Sequence, residues 1–280
     1  MVSTHNGTAD SRLLSTVICE VVIGLILFSF LFRLGKKLYN KIIWKYVLHL
    51  AIPLLPHYLA NIVLSSLGNI MISKYCGNDK LALYTVAYSL GMLMQIVVNS
   101  VNAAINPWIY RTMEKENYRE LRKGTGILYI IMAVLTILPT VLGAAYIRLF
   151  MNPSYYEAAE LIGIIAASSY FTYLYSIILV FELYYEKTKY TSTASVIAAI
   201  VNAALNYFGI RFWGYKSVAY VTLICYILLA LVHYYFLDKI CTANKISISK
   251  IVDANLICIV GIVVCILAFL ISSFVKGLSF

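Results

Sequence analysis

LALYTVAYSLGMLMQIVVNSVNAAINPW, residues 81–108, contains no charged side chain, and its carboxamides recur at helical intervals. A stretch of more than about 20 such residues can cross a bilayer core as an α-helix. Gln95, Asn99, Asn102 and Asn106 are spaced by three or four residues, which puts them on one stripe along roughly half of that helix. The other faces are apolar, so the amides find water only if the protein supplies it.

Similar apolar runs lie near 13–34, 46–73, 125–149, 157–184, 190–211, 216–237 and 254–275. Together with 81–108 they predict about eight transmembrane helices. Composition agrees: 62% of the 280 residues are hydrophobic and 12% charged, with a mean hydropathy of +0.85, whereas soluble domains carry about 25% charged residues. Backbone inside lipid must satisfy its own hydrogen bonds, which excludes open sheets, and the alternating segments of an outer-membrane barrel are absent. The expected fold is all-α, a polytopic membrane helical bundle whose short connections make neighbours antiparallel. The first run is too long for a signal-peptide core and lacks a small-residue cleavage site, so it reads as a retained span. The expected division is an amino-terminal transmembrane helix with a basic connection (1–45), a core lobe of six transmembrane helices (46–253) and a carboxy-terminal transmembrane helix (254–280). Pro53 and Pro56 each remove a backbone donor and should bend the second helix.

The formal net charge of +10 does not point to nucleic acid, because the cations sit in short connections between apolar runs. Arg33, Lys36, Lys37, Lys41 and Lys45 flank the first connection; Arg111, Lys115, Arg119, Arg122 and Lys123 the third; Lys187 and Lys189 the fifth; Lys239, Lys245 and Lys250 the seventh. The intervening connections are poorer, holding Lys74 and Lys80, then Arg148, then Arg211 and Lys216. This alternation places the odd connections in the cytoplasm and both termini outside. The mixed-charge stretch 117–123 is expected to form a short surface helix.

Nothing calls for a cofactor or a metal. The six cysteines form no CxxC pair or Cys/His cluster. Nucleotide-binding, nucleophile-elbow and zinc-protease motifs are missing, and acidic residues are scarce in the wet loops, so an enzyme is not expected. Asn6-Gly7-Thr8 is a lone glycosylation sequon and carries no weight.

Polar side chains in membrane helices tend to face the bundle interior, so their clustering is informative. Asn202 and Asn206 repeat the stripe device on the sixth helix, while His57, Asn61, Ser65 and Asn69 do so on the second. The amides are either interhelical packing glue, worth about 0.6–2 kcal/mol each, or the wall of a hydrated cavity for a polar substrate. Nine residues form that candidate wall: His57, Asn61, Asn69, Gln95, Asn99, Asn102, Asn106, Asn202 and Asn206. His57 could also couple to protons. Glu20 and Glu182 lie near helix ends and read as interfacial. Tyr170, Tyr173 and Tyr175 lie deeper; they either pack or stack on sugars.

Residues 53–59 (PLLPHYL), 70–74 (IMISK), 84–89 (YTVAYS) and 106–110 (NPWIY), with 185–189 (YEKTK), 202–206 and 214–220 (GYKSVAY), resemble the polysaccharide-biosynthesis oligosaccharide flippases. These are the O-antigen and capsule flippases of the multidrug/oligosaccharidyl-lipid/polysaccharide exporter superfamily. The resemblance implies translocation of an undecaprenyl-diphosphate-linked oligosaccharide across the bacterial inner membrane by a two-lobe, alternating-access fold. The first helix resembles the family's sixth and the next seven its seventh to thirteenth, so the chain is expected to be the carboxy-terminal lobe. Its partners would be the lipid-linked oligosaccharide, membrane lipid, and a missing amino-terminal lobe or a second copy. Where many relatives have an Asp-Arg pair, this chain has Gly68-Asn69, so no charge role transfers there. The alternatives are a cation-coupled multidrug exporter lobe, or a non-transporting membrane subunit of a glycan-assembly complex.

Overall fold

The structure, a computed structural model, describes residues 9–37 and 39–277; the Asn6-Gly7-Thr8 sequon lies outside the described residues. The helices are α1 (Ala9–Gly35), α2 (Lys41–Cys76), α3 (Asn78–Gly91), α4 (Met94–Glu114), α5 (Tyr118–Phe150), α6 (Ala159–Tyr184), α7 (Thr188–Trp213), α8 (Ser217–Ala243), α9 (Ile248–Ile251) and α10 (Ala254–Gly277), with a 3₁₀ turn at Pro153–Ala158. Eight segments among the described residues are long and apolar enough to cross a membrane, α3 and α4 counting as one. The all-α membrane bundle read from the sequence is therefore the fold.

The chain divides into two compact units, Met1–Ala51 and Ile52–Phe280. In the first, α1 exposes apolar side chains around its circumference, among them Ile23, Ile26, Phe30 and Leu34. A helix that is apolar all round requires lipid or protein on every side. In the second, α6 is the central rod. It packs against α3, α4, α5, α7, α8 and α10, and 89% of its apolar window is buried. The small residues Ala166, Ala167, Ser168 and Ser169 are all fully buried on it, letting neighbouring backbones approach as membrane interfaces require.

Hydroxyls inside the spans are mostly satisfied by their own helix. Thr125, Thr136, Thr140, Thr172 and Thr222 each donate to the carbonyl four residues back. This removes a polar group from lipid without a partner helix.

The turns after α4, α6 and α8 share one construction. The Asn117, Lys187 and Ile246 N–H groups each bond the carbonyl five residues back, at 3.1, 2.8 and 2.9 Å. The residues before them, Glu116, Glu186 and Lys245, have φ of 53°, 55° and 57°. These are Schellman stops with a charged residue at the left-handed position where glycine is usual. At two outer turns the positive φ falls instead on Gly77 (87°) and Gly214 (71°).

One expectation needs correction. Residues 117–123 are not a separate surface helix; they are the Asn117 cap and first turns of α5, with Asn117 Oδ1 accepting from Glu120 N at 3.4 Å and Nδ2 donating to Glu120 Oε2 at 2.6 Å. The helix continues because nothing after the cap breaks the apolar period. Helix α2 runs continuously through Pro53 and Pro56, and the third span breaks between Gly91 and Met94. There Gln95 N turns to Met92 O at 2.8 Å and Ile96 N to Leu93 O at 3.2 Å, bonds three residues long. Helix α6 approaches closely just before the break: a Cβ on Gly91 would lie 2.7 Å from Ile165 Cγ2 and 3.2 Å from Ala166 N.

Gly91→Ala should therefore lower the stability of the purified chain in detergent by about 1–3 kcal/mol through overpacking against α6. Gly24→Ala, where an added Cβ meets nothing within 4 Å, should be neutral or stabilising; thermal melts of both variants check the contrast.

Candidate functional site

The nine candidate wall residues behave differently on each helix. On α4, Gln95 Nε2 donates to Asn99 Oδ1 at 3.2 Å, and Asn102 Nδ2 donates across to Ser176 Oγ of α6 at 2.8 Å. Asn99 is exposed, while Gln95, Asn102 and Asn106 are half-buried. On α7, Asn202 and Asn206 are 1% exposed and bond each other at 2.9 Å, with α8 packed alongside. On α2, Asn61 Nδ2 lies 3.1 Å from His57 Nε2. Asn69 is half-buried, and its Oδ1, like those of Asn102 and Asn106, is buried without a protein partner. The stripes thus bond within their own helices or to a neighbouring serine. The cleft between α6, α8 and α10, about 670 Å³, is lined by apolar residues such as Phe171, Leu231, Ile262 and Phe269 and by none of the nine.

Gly68 sits on α8: a Cβ there would lie 2.5 Å from Val218 Cγ1. A side chain at this position would require Val218 to shift, so Gly68 belongs to the α2–α8 contact.

A second polar cluster lies deeper. His57 is 8% exposed, and its Nδ1 lies 2.6 Å from Ser195 Oγ on α7. One turn earlier on the same face, Thr191 Oγ1 donates to Glu182 Oε2 at 2.6 Å. Glu182 Oε1 lies 2.8 Å from His233 Nδ1 on α8. Glu182, His233, Thr191 and Ser195 are all fully buried. Ser192, between them, donates to the Pro53 carbonyl.

Each element delivers its residue for a local reason. Glu182 stands in the last turn of α6, where its own carbonyl closes the Schellman stop with Lys187 N. The tight turn then brings Thr191 back beside it. Tyr175 stacks on His233 at 5.5 Å and 15°, and on Tyr226 at 6.2 Å and 8°, fixing the imidazole plane. His233 Nε2 has no protein partner.

Among the described residues no Lys or Arg bonds to this cluster; the Thr191 hydroxyl and the His233 ring are what satisfy the Glu182 carboxyl at low dielectric. Among the described residues no group of three His, Cys, Asp or Glu side chains converges on a metal position.

Sequence reasoning placed His57 and Asn61 correctly beside each other but read Glu182 as interfacial and passed over His233. Glu182 is in fact fully buried. It lies at a helix end, and only the fold of α7 and α8 over that end removes it from the interface. A signal existed: an isolated His and an isolated Glu in two apolar runs, each needing a partner. The deep tyrosines Tyr170 and Tyr173 are fully buried and offer no ring face to a sugar; Tyr175 is occupied by its two stacking partners.

Breaking the Glu182–His233 pair should cost about 3–5 kcal/mol for either Glu182→Leu or His233→Leu, since each leaves an uncompensated buried group. The double variant should lose distinctly less than the sum, which a detergent-unfolding double-mutant cycle measures.

Residues 11–113 match the model of a family described as polysaccharide biosynthesis protein. A protein of Haemophilus influenzae described as Lsg locus putative protein 1 is 20% identical over 245 residues, covering 84% of this chain and 60% of that protein. The chain thus spans less than two thirds of that relative's length. No solved structure matches the chain.

Proposed function

We propose that this chain, which carries the polysaccharide biosynthesis family match over its residues 11–113, translocates an undecaprenyl-diphosphate-linked oligosaccharide across the bacterial cytoplasmic membrane for surface polysaccharide assembly. It would act without chemical conversion of its substrate, as the carboxy-terminal lobe of a two-lobe exporter. The other lobe would come from a longer product, a separate chain or a second copy.

The observation that carries this reading is the α4 stripe. Asn99 is exposed and Gln95, Asn102 and Asn106 are half-buried within a span of hydropathy 1.8. Carboxamides facing hydrocarbon would each cost several kcal/mol. Facing water or sugar hydroxyls, they meet both donors and acceptors. His57, Asn61 and Asn69 on α2 would add to the wall where they are not sealed by packing. Asn202 and Asn206, bonded to each other at 1% exposure, would support the wall from behind. The break at Gly91–Met94, directly before the stripe, is the type of discontinuity found at substrate sites of alternating-access transporters.

Replacing Asn99, Asn102 and Asn106 together with Leu should reduce glycan export at least tenfold in a complementation assay while the protein still inserts; unchanged export would remove the cavity assignment. One observation favours a second reading, a cation-coupled multidrug exporter lobe, because Glu182 supplies the buried carboxylate such coupling needs. In that case the chain confers resistance to toxic cations, Glu182→Gln abolishes it, and glycan export is untouched.

A further inference from the structure

At the cytoplasmic end of the bundle a cleft of about 660 Å³ opens between the start of α5 and the start of α10. Arg119, Arg122, Lys123 and Lys250 line its mouth, with Asp253 the acidic member. Arg122 Nη2 contacts Asp253 Oδ2 at 2.6 Å. That guanidinium holds the Asp253 carboxyl below the usual carboxylate range, and the Leu256 and Asn255 N–H groups help. Asp253 is therefore ionised at neutral pH and cancels Arg122, leaving Arg119, Lys123 and Lys250 as the cleft's excess positive charge. The mouth also lies in the first turns of α5, at the positive end of the helix dipole.

The floor has the opposite character. Gly126, Ile127, Ile130 and Leu256 form it, and Ile127 and Ile130 are 49% and 46% exposed. From Arg119 to Ile130 the cleft runs about 16 Å along α5 at 1.5 Å per residue. That is a path from headgroup depth into hydrocarbon. Below it the exposed row continues through Ile131, Val134 and Leu138 on α5 and Ile259, Ile262 and Ile266 on α10. The cleft therefore opens sideways to the bilayer, and no carboxamide of the α4 stripe lines it.

We propose that this cleft binds one anionic phospholipid of the inner leaflet, its phosphate held by Arg119, Lys123 and Lys250 and its first methylenes lying on Ile127 and Ile130. A cationic mouth over an apolar floor matches a phosphate attached to a chain, and basic pockets between helices on the cytoplasmic side select such headgroups. The lateral opening and the separation from the amide stripe favour a resident membrane lipid over the lipid-linked diphosphate in transit. This site stands whether or not the chain moves a glycan.

The test uses the full chain in nonionic detergent, titrated with phosphatidylglycerol, phosphatidylcholine of the same acyl chains, inorganic pyrophosphate and undecaprenyl diphosphate, and read by native mass spectrometry and thermal melts. Phosphatidylglycerol should bind saturably with one lipid retained and raise the melting temperature; phosphatidylcholine and pyrophosphate should do neither. The combined Arg119→Gln, Lys123→Gln, Lys250→Gln variant should weaken phosphatidylglycerol binding at least tenfold, and Lys123→Arg with Lys250→Arg should keep it. The last pair guards against a folding defect, because it alters the same positions without removing charge. Equal retention of phosphatidylcholine, or unchanged binding by the glutamine variant, overturns the proposal. So does undecaprenyl diphosphate binding that phosphatidylglycerol cannot displace, which would give the cleft to the transported lipid.

Discussion

Lipid offers no hydrogen bonds, and this single constraint organises the molecule. Every polar group placed inside a span must find its partner within the protein or mark a place where water enters. Most threonines of the spans meet the demand locally, through the carbonyl one turn back. The side chains that cannot do so are the longer ones, the carboxamides, histidines and Glu182, and they are the residues that give the bundle its specific contacts. Asn102 ties α4 to α6, His57 ties α2 to α7, and Glu182 ties α6 to α7 and α8.

The two membrane faces of the larger unit are held by different chemistry. On the side assigned to the cytoplasm, tight Schellman stops set the helix pairs, and one ion pair, Arg122 with Asp253, links α5 to the start of α10. On the outer side, Lys80 reaches Glu157 at 3.1 Å, and Lys216 reaches Glu157 and Glu160 at 3.0 and 2.8 Å. Three outer connections are thereby cross-linked around the start of α6. These groups are partly exposed, so each pair contributes modestly; as a network on three elements they fix relative positions more than they add stability. The central helix is thus clamped at its outer end by charge and at its inner end by the buried Glu182 cluster.

Three kinds of polar site then serve three purposes. The α4 stripe is open and neutral, suited to hydroxyl-rich ligands. The Glu182–His233 unit is sealed. The α5–α10 cleft is cationic and lipid-facing.

Residues 81–108 and the seven comparable runs determined the class of this protein by themselves, since length, charge depletion and loop cations are properties of the chain and the bilayer alone. The spacing of Gln95, Asn99, Asn102 and Asn106 likewise carried the stripe, because helical periodicity maps spacing onto a face. What the tertiary structure decided was which polar residues are sealed and which are open. Asn202 and Asn206 have the same spacing signature as the α4 amides, yet α8 covers them; Glu182 lies at a helix end, yet α7 and α8 close over it. The need for a glycine at position 91 also depends on a neighbour, the backbone and Ile165 of α6, and the two prolines visible in the sequence leave α2 continuous. Burial is a relation between elements distant in the chain, and a pattern within one helix cannot record which neighbour will come to lie on it.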